Sequence, residues 1–201
     1  MPIPRPLLFK RFGHLGGGHR YEMCGRAQFG EFPYAGNCDR DPLRSNYTLT
    51  LDRDSDPSLD GAGASLGSGL ASLGLRRYCF TVVRGTPPAN PSLCSSFDLA
   101  RLDLEIKATC AVAVAYAEVG GQPHPITVKA TPPLLRIGGL LDAPGAVMGD
   151  GGAGLRVCLV LRQPCTDLRQ LCGNGDFCRY SLADRPESGE AACCPTSTLR
   201  V

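Results

Sequence analysis

Hydrophobic and polar positions along this chain repeat mostly with the two-residue period of a β-strand, which turns one face to a core and the other to solvent. Residues 47–51, Y-T-L-T-L, alternate in this way and predict a first strand. Residues 78–83, Y-C-F-T-V-V, are a dense β-branched and aromatic run that predicts a buried strand. Leu102, Leu104 and Ile106 alternate with Asp103, Glu105 and Lys107, which predicts a strand with one wet face of solvated charges. The alternation continues over 111–119 through Val112, Val114 and Tyr116 and meets a turn at Gly120-Gly121. Residues 134–141 and 155–161 predict two more strands around the glycine-rich M-G-D-G-G-A-G, a hairpin-like pattern. Between Cys165 and Cys172 the run T-D-L-R-Q-L predicts a short helix. Thr166 is its candidate N-cap and Asp167 lies in its first turn, so that Cys165, Leu168 and Cys172 share one side. Gly173-Asn174-Gly175-Asp176 is turn chemistry, and 177–182 return as a strand. Roughly six to nine short strands with one short helix predict an all-β fold, a disulfide-rich antiparallel β-sandwich or curled sheet whose topology the pattern leaves open.

Composition supports short strands and many turns: of 201 residues, 25 are Gly and 17 Pro, and Trp is absent. Residues 1–23 read as a flexible basic tail, and its L-G-G-G-H-R lacks the G-K-[ST] and preceding strand of a phosphate loop. Ordered structure is expected over 24–201, opening with the turn-rich 32–42 and interrupted by a Gly/Ser/Ala/Leu-rich insertion at about 52–75. A formal charge of +2 supplies no field for nucleic acid or for an acidic partner. No apolar run reaches the ~18 residues of a membrane span.

Chemistry concentrates in the cysteines. Six of the eleven, Cys158, Cys165, Cys172, Cys178, Cys193 and Cys194, fall within 157–195, after Cys24, Cys38, Cys79, Cys94 and Cys110. Zinc sites use pairs two to four residues apart, often completed by histidines. The spacing here does not fit, and His14, His19 and His124 are distant in sequence. Adjacent Cys193 and Cys194 suit bridges to two different segments better than one tetrahedral ion. All eleven are therefore disulfide candidates, with no metal or cofactor expected and connectivity left open. Such a framework belongs in an oxidising compartment, although the N-terminus has no apolar h-region; the cysteines carry more weight. A reduced intracellular metal protein is the contrary reading.

With a secreted framework, Asn46-Tyr47-Thr48 makes Asn46 a candidate glycan acceptor that must face solvent. Enzyme readings are weaker. Cys–His catalysis would need a thiolate near His124, which sits in Q-P-H-P and reads as a rigid exposed turn. Asp103 and Glu105 are a carboxylate pair on one strand face, the pattern of solvated charges more than of a glycosidase cleft. Asp150 and Asp176 lie in glycine loops without the spacing of an EF-hand.

The joint order of F-P-Y, Y-C-F-T-V-V, C-S-S-F-D-L-A-R-L-D-L-E-I-K-A-T-C, L-L-R-I-G-G-L, C-T-D-L-R-Q-L-C, C-R-Y-S-L and C-C-P resembles the pherophorin domain of volvocine green algae over residues 24–195. The resemblance implies a non-enzymatic extracellular-matrix or cell-wall glycoprotein module whose partners are matrix glycoproteins or polysaccharides. The rival class is a secreted hydrolase or lectin-like carbohydrate receptor on the same scaffold. A cleft lined by His124 and a carboxylate pair would favour the enzyme, and a face of exposed aromatics would favour sugar binding. The family's Pro-rich rod is missing, which reads as one module or a fragment. Ala35 and Ser95 stand where the family commonly has cysteine, which suggests one bridge removed as a unit and expects the two residues close together. An odd cysteine then remains as a lone thiol or for an interchain bridge, with Cys24 or Cys38 the candidates.

Overall fold

The computed structural model describes residues 31–34, 38–52, 70, 73–89, 91–142, 154–184 and 192–201. In chain order the strands are β1 (Cys38–Asp39), β2 (Tyr47–Leu51), β3 (Arg76–Arg84), β4 (Arg101–Glu105), β5 (Val114–Val119) and β6 (Gln122–His124). They continue with β7 (Ile126–Ala130), β8 (Pro133–Gly138), β9 (Leu155–Leu161), β10 (Phe177–Ala183), β11 (Ala192–Cys193) and β12 (Thr196–Arg200). The first large sheet has the order β2-β3-β9-β5-β6 and the second β12-β10-β4-β8-β7, both antiparallel. A parallel ribbon of β1 and β11 completes the set.

The two sheets share one core, so the fold is a disulfide-rich all-β sandwich. Phe80, Val82, Val157, Leu159 and Leu161 of the first sheet pack with Leu102, Leu104, Leu135, Ile137 and Leu182 of the second. A polar contact also crosses this layer: the Tyr180 hydroxyl accepts from the Leu49 amide at 3.3 Å. Truncating any of these fully buried aliphatics to Ala is in the class of changes that cost about 2–5 kcal/mol.

Five bridges pin the layers: Cys38–Cys194, Cys79–Cys158, Cys94–Cys193, Cys110–Cys165 and Cys172–Cys178. Cys79 and Cys158 face each other across β3 and β9, whereas Cys193 and Cys194 send bridges to segments 99 and 156 residues earlier.

Several expected elements take a different form. The helix α1 spans Leu168–Cys172, and its cap is Asp167, whose side chain accepts from the Arg169 amide at 2.6 Å; Thr166 is not the cap. Asp167 has the extended backbone an N-cap needs, and Gly173 closes the helix at φ 77°. Cys165 thus precedes the helix and bridges elsewhere than Cys172. Residues 134–141 and 155–161 do not form a hairpin, because β8 and β9 belong to different sheets. Over 111–119 the strand begins only at Val114, after a 3-10 segment at Ala108–Ala113 that leaves Val112 exposed. The register then shifts between Val114 and Tyr116, and the buried set becomes Val114, Ala117 and Val119. A bulge inserts one residue and so reverses the phase of the alternation. Gly120 and Gly121, at φ 57° and 80°, make the predicted turn into β6. The tail at 1–23 and most of the 52–75 insertion lie outside the described residues, as does Ala35, the expected neighbour of Ser95.

The vicinal pair makes a specific prediction. Tryptic digestion without reduction should leave the peptides carrying Cys38, Cys94 and Cys193-Cys194 joined as one species, read by mass spectrometry. Removing the Cys94–Cys193 bridge by a double Ala substitution should cost about 2–5 kcal/mol in denaturant unfolding.

Candidate functional site

Alternation in the second sheet leaves an outer face made of Arg101, Asp103 and Glu105 on β4, Arg136 on β8, Phe177, Arg179 and Ser181 on β10, and Thr198 and Arg200 on β12. This face is not simply wet. The turn Glu31–Tyr34 lies over it, and Phe32 is only 2% exposed. The Phe32 ring meets the edge of Tyr34 at 5.8 Å between centroids and lies 5.3 Å from the Arg179 guanidinium carbon. The Tyr34 hydroxyl donates to Glu105 Oε1 at 3.3 Å, and Arg179 Nη1 pairs with Glu105 Oε2 at 3.2 Å. Tyr34 holds φ 60°, a left-handed conformation that costs a residue with a Cβ about 1–2 kcal/mol and that its contacts must offset.

On the same face the expectation of a solvated strand face is overturned at Asp103, which has no solvent exposure. A bare buried carboxylate is prohibitive, and this one is neutralised twice. Arg136 binds it through Nε at 2.7 Å and Nη2 at 2.9 Å, the two-pronged geometry that suits a guanidinium, and Arg101 Nε lies 3.4 Å from Oδ2. The hydrogen bond to Asp103 raises the Arg136 pKa above its ordinary value, whereas burial lowers that of Arg101. Next to Asp103, Ser181 donates to the Cys194 carbonyl at 3.0 Å, tying the C-C-P segment to the same face.

At the end of β10 the face opens into a shallow depression of about 490 Å3 lined by Asn174, Phe177, Arg179 and Thr198. Phe177 is 47% exposed there, a large apolar ring standing in water among hydrogen-bonding groups. The Cys172–Cys178 bridge, one residue from it, joins the strand to α1. An open bowl with an aromatic floor and polar walls can stack a flat, hydroxyl-bearing ring and hydrogen-bond its rim.

The Pherophorin family model matches residues 32–195, from the phenylalanine of F-P-Y to the proline of C-C-P. The chain belongs to the Pherophorin family. No curated protein and no solved structure matches it. Pherophorins are structural proteins of the extracellular matrix. Both ends of the pherophorin match reach the outer face of the second sheet: F-P-Y contacts the Glu105–Arg179 pair, and C-C-P is tied to Ser181 through the Cys194 carbonyl.

The residues singled out from sequence fare differently. Asp103 and Glu105 are each bound to arginine and do not face one another across a cleft. His124 is not in an exposed turn; it lies half-buried in β6, where Nε2 donates to the Gly138 carbonyl at 2.6 Å and so joins the two sheets. The ten cysteines from Cys38 onward are in disulfides, so none offers a thiolate, and Cys38 is bonded to Cys194. Cys24, His14, His19 and Asp150 lie outside the described residues, and Asp176 pairs with Arg169 at 3.3 Å. Among the described residues no group of three or more His, Cys, Asp or Glu is gathered as a metal site, and no helix is long and apolar enough to cross a membrane. Asn46, expected to face solvent, is 4% exposed, and its Oδ1 and Nδ2 are enclosed without a hydrogen bond. That arrangement runs against a glycan on Nδ2 of the folded domain. Sequence reasoning missed Arg101, Arg136 and Phe177. The period-two spacing of Phe177 and Arg179 was the available signal for one shared face, but it carries no information on which face is roofed.

Two outcomes follow from these contacts. Asp103→Ala should cost about 3 kcal/mol, because it strands two partly buried guanidinium groups. Glu105→Ala, whose Arg179 partner is 40% exposed, should cost no more than about 1 kcal/mol, both read by urea unfolding. Burial, aided by Glu105, raises the Tyr34 pKa above 10.0, and burial raises that of Tyr47. The folded chain therefore keeps protons that the unfolded chain sheds, and stability should fall as pH climbs from 10.0 through the raised values. Tyr34→Phe should flatten part of that alkaline loss in denaturation curves taken across the range.

Proposed function

We propose that this pherophorin domain is a disulfide-pinned structural module of an algal extracellular matrix or cell wall that binds matrix polysaccharide at the depression around Phe177. The observation that carries the reading is a half-exposed Phe177 ring on a strand braced by the Cys172–Cys178 bridge, with Asn174, Arg179 and Thr198 around it. Sugar rings present an apolar C–H face and a hydroxyl rim, which a ring with flanking amide, guanidinium and hydroxyl groups complements. Rigid presentation lowers the ordering cost of binding, and bridges that restrict the unfolded chain serve both stability and this preorganisation. In this reading the module takes in residues 24–201, and Cys24 is the residue for an interchain bridge to another matrix glycoprotein, since the other ten cysteines pair among themselves.

Affinity electrophoresis through gels containing matrix polysaccharide tests the site. The wild-type domain should be retarded, and Phe177→Ala, an exposed substitution that leaves the core intact, should bind about tenfold more weakly or worse. Equal retardation of the two proteins would remove Phe177 from the site, and no retardation of either would sink the polysaccharide reading.

A further inference from the structure

Within that carbohydrate-binding reading, on which it rests, we propose that the depression selects a uronate, a pyranose unit bearing a carboxylate, within a polysaccharide chain. The starting point is register. Phe177 pairs with Arg200 and Arg179 with Thr198 across β10 and β12, so these four side chains form a two-by-two grid on one outward face. Two cations belong to the grid and they are not equivalent. Arg179 is engaged by Glu105 and covers the Phe32 ring. Arg200 is exposed and makes no ion pair among the described residues, and it stands directly across from Phe177 on β12, the outermost strand of the sheet, next to the four residues that line the depression. The nearby acid Asp176 is already paired with Arg169.

The geometry distinguishes a uronate from a neutral sugar and from other anions. A pyranose stacked on Phe177 holds its equatorial carboxylate in the plane of the ring, at the ring's edge and directly bonded to it. The neighbouring strand runs about 4.8 Å away, so the Arg200 side chain, which starts directly opposite Phe177, is long enough to reach that edge. A planar guanidinium receives a planar carboxylate through two parallel hydrogen bonds, a match that an ammonium does not make. Asn174 and Thr198 remain for the hydroxyls. The bowl is open toward solvent on the side away from the sheet, so a unit inside a chain fits as well as a terminal one. A formal charge of only +2 argues against unspecific capture of polyanions by the whole protein.

The experiment uses isothermal titration of the full chain with polygalacturonate and with the same backbone fully methyl-esterified, at about physiological ionic strength. Wild type should bind polygalacturonate about tenfold or more tightly than the ester, a preference that Arg200→Gln should abolish and Arg200→Lys restore in part. Phe177→Ala should weaken binding to both. Thermal melts of all variants, which change exposed residues only, should coincide with wild type. Equal affinity for acid and ester, or an Arg200→Gln variant that keeps the preference, would overturn the uronate assignment while leaving the sugar site in place. So would tighter binding of dextran sulfate than of polygalacturonate through Arg200. Binding of polygalacturonate that is indifferent to Phe177→Ala would instead overturn the site itself, and with it this inference.

Discussion

Two adjacent residues, Cys193 and Cys194, hold this domain together in a way that no core contact does. Neighbouring positions on one strand end cannot reach the same partner, so their bridges draw Cys94 and Cys38 toward a single point from 99 and 156 residues away. The β1–β11 ribbon forms where these tethers converge, and the Cys194 amide donates to the Asp39 carbonyl at 2.9 Å. The same anchorage borders the outer face of the second sheet, where Ser181 donates to the Cys194 carbonyl. There the strap formed by the turn Glu31–Tyr34 meets Glu105 and Arg179, Phe32 is withdrawn from water, and Asp103 is buried on the same face.

Sealing a carboxylate imposes its own demands. Inside the sandwich the core is almost wholly apolar and asks mainly for volume and shape complementarity. Under the strap, charge must be balanced group by group. Arg136 supplies two hydrogen bonds and Arg101 a second positive charge, and the adjacent Glu105 is answered by Arg179 and Tyr34. Such a cluster adds little net stability compared with apolar packing, yet losing any one member leaves another stranded. It specifies where the strap lies. The same balance fixes Arg179 at the edge of the Phe177 depression, so the polar wall of the binding face is an extension of the structural ion pairs and inherits their order.

Local pattern carried a large part of this architecture. The strands over residues 47–51, 78–83 and 177–182 and the turn at Gly120-Gly121 were legible because alternation, β-branching and glycine turn chemistry act over a few residues. Where pattern failed, a longer-range influence had won. Val112 looked like a strand residue until the 3-10 segment beside Cys110 turned it outward, and the bulge before Tyr116 reversed the phase that followed. Asp103 looked solvated because period two separates the faces of a strand without saying what else covers them. The apparent hairpin between β8 and β9 was a change of sheet, and a glycine-rich connection reads alike in both cases.

By itself, then, the sequence determined the class of fold, the family through the order of its cysteines and motifs, and the dependence on covalent bridges, since each is encoded in composition, short periods or spacing. Only the tertiary structure decided which cysteines meet, which sheet each strand joins, that the F-P-Y turn roofs the charged face, and that Phe177 and Arg200 stand side by side in water. Those are relations between residues far apart in the chain. They are fixed by the closure of long loops and by the burial of one surface against another, and neither leaves a local signature.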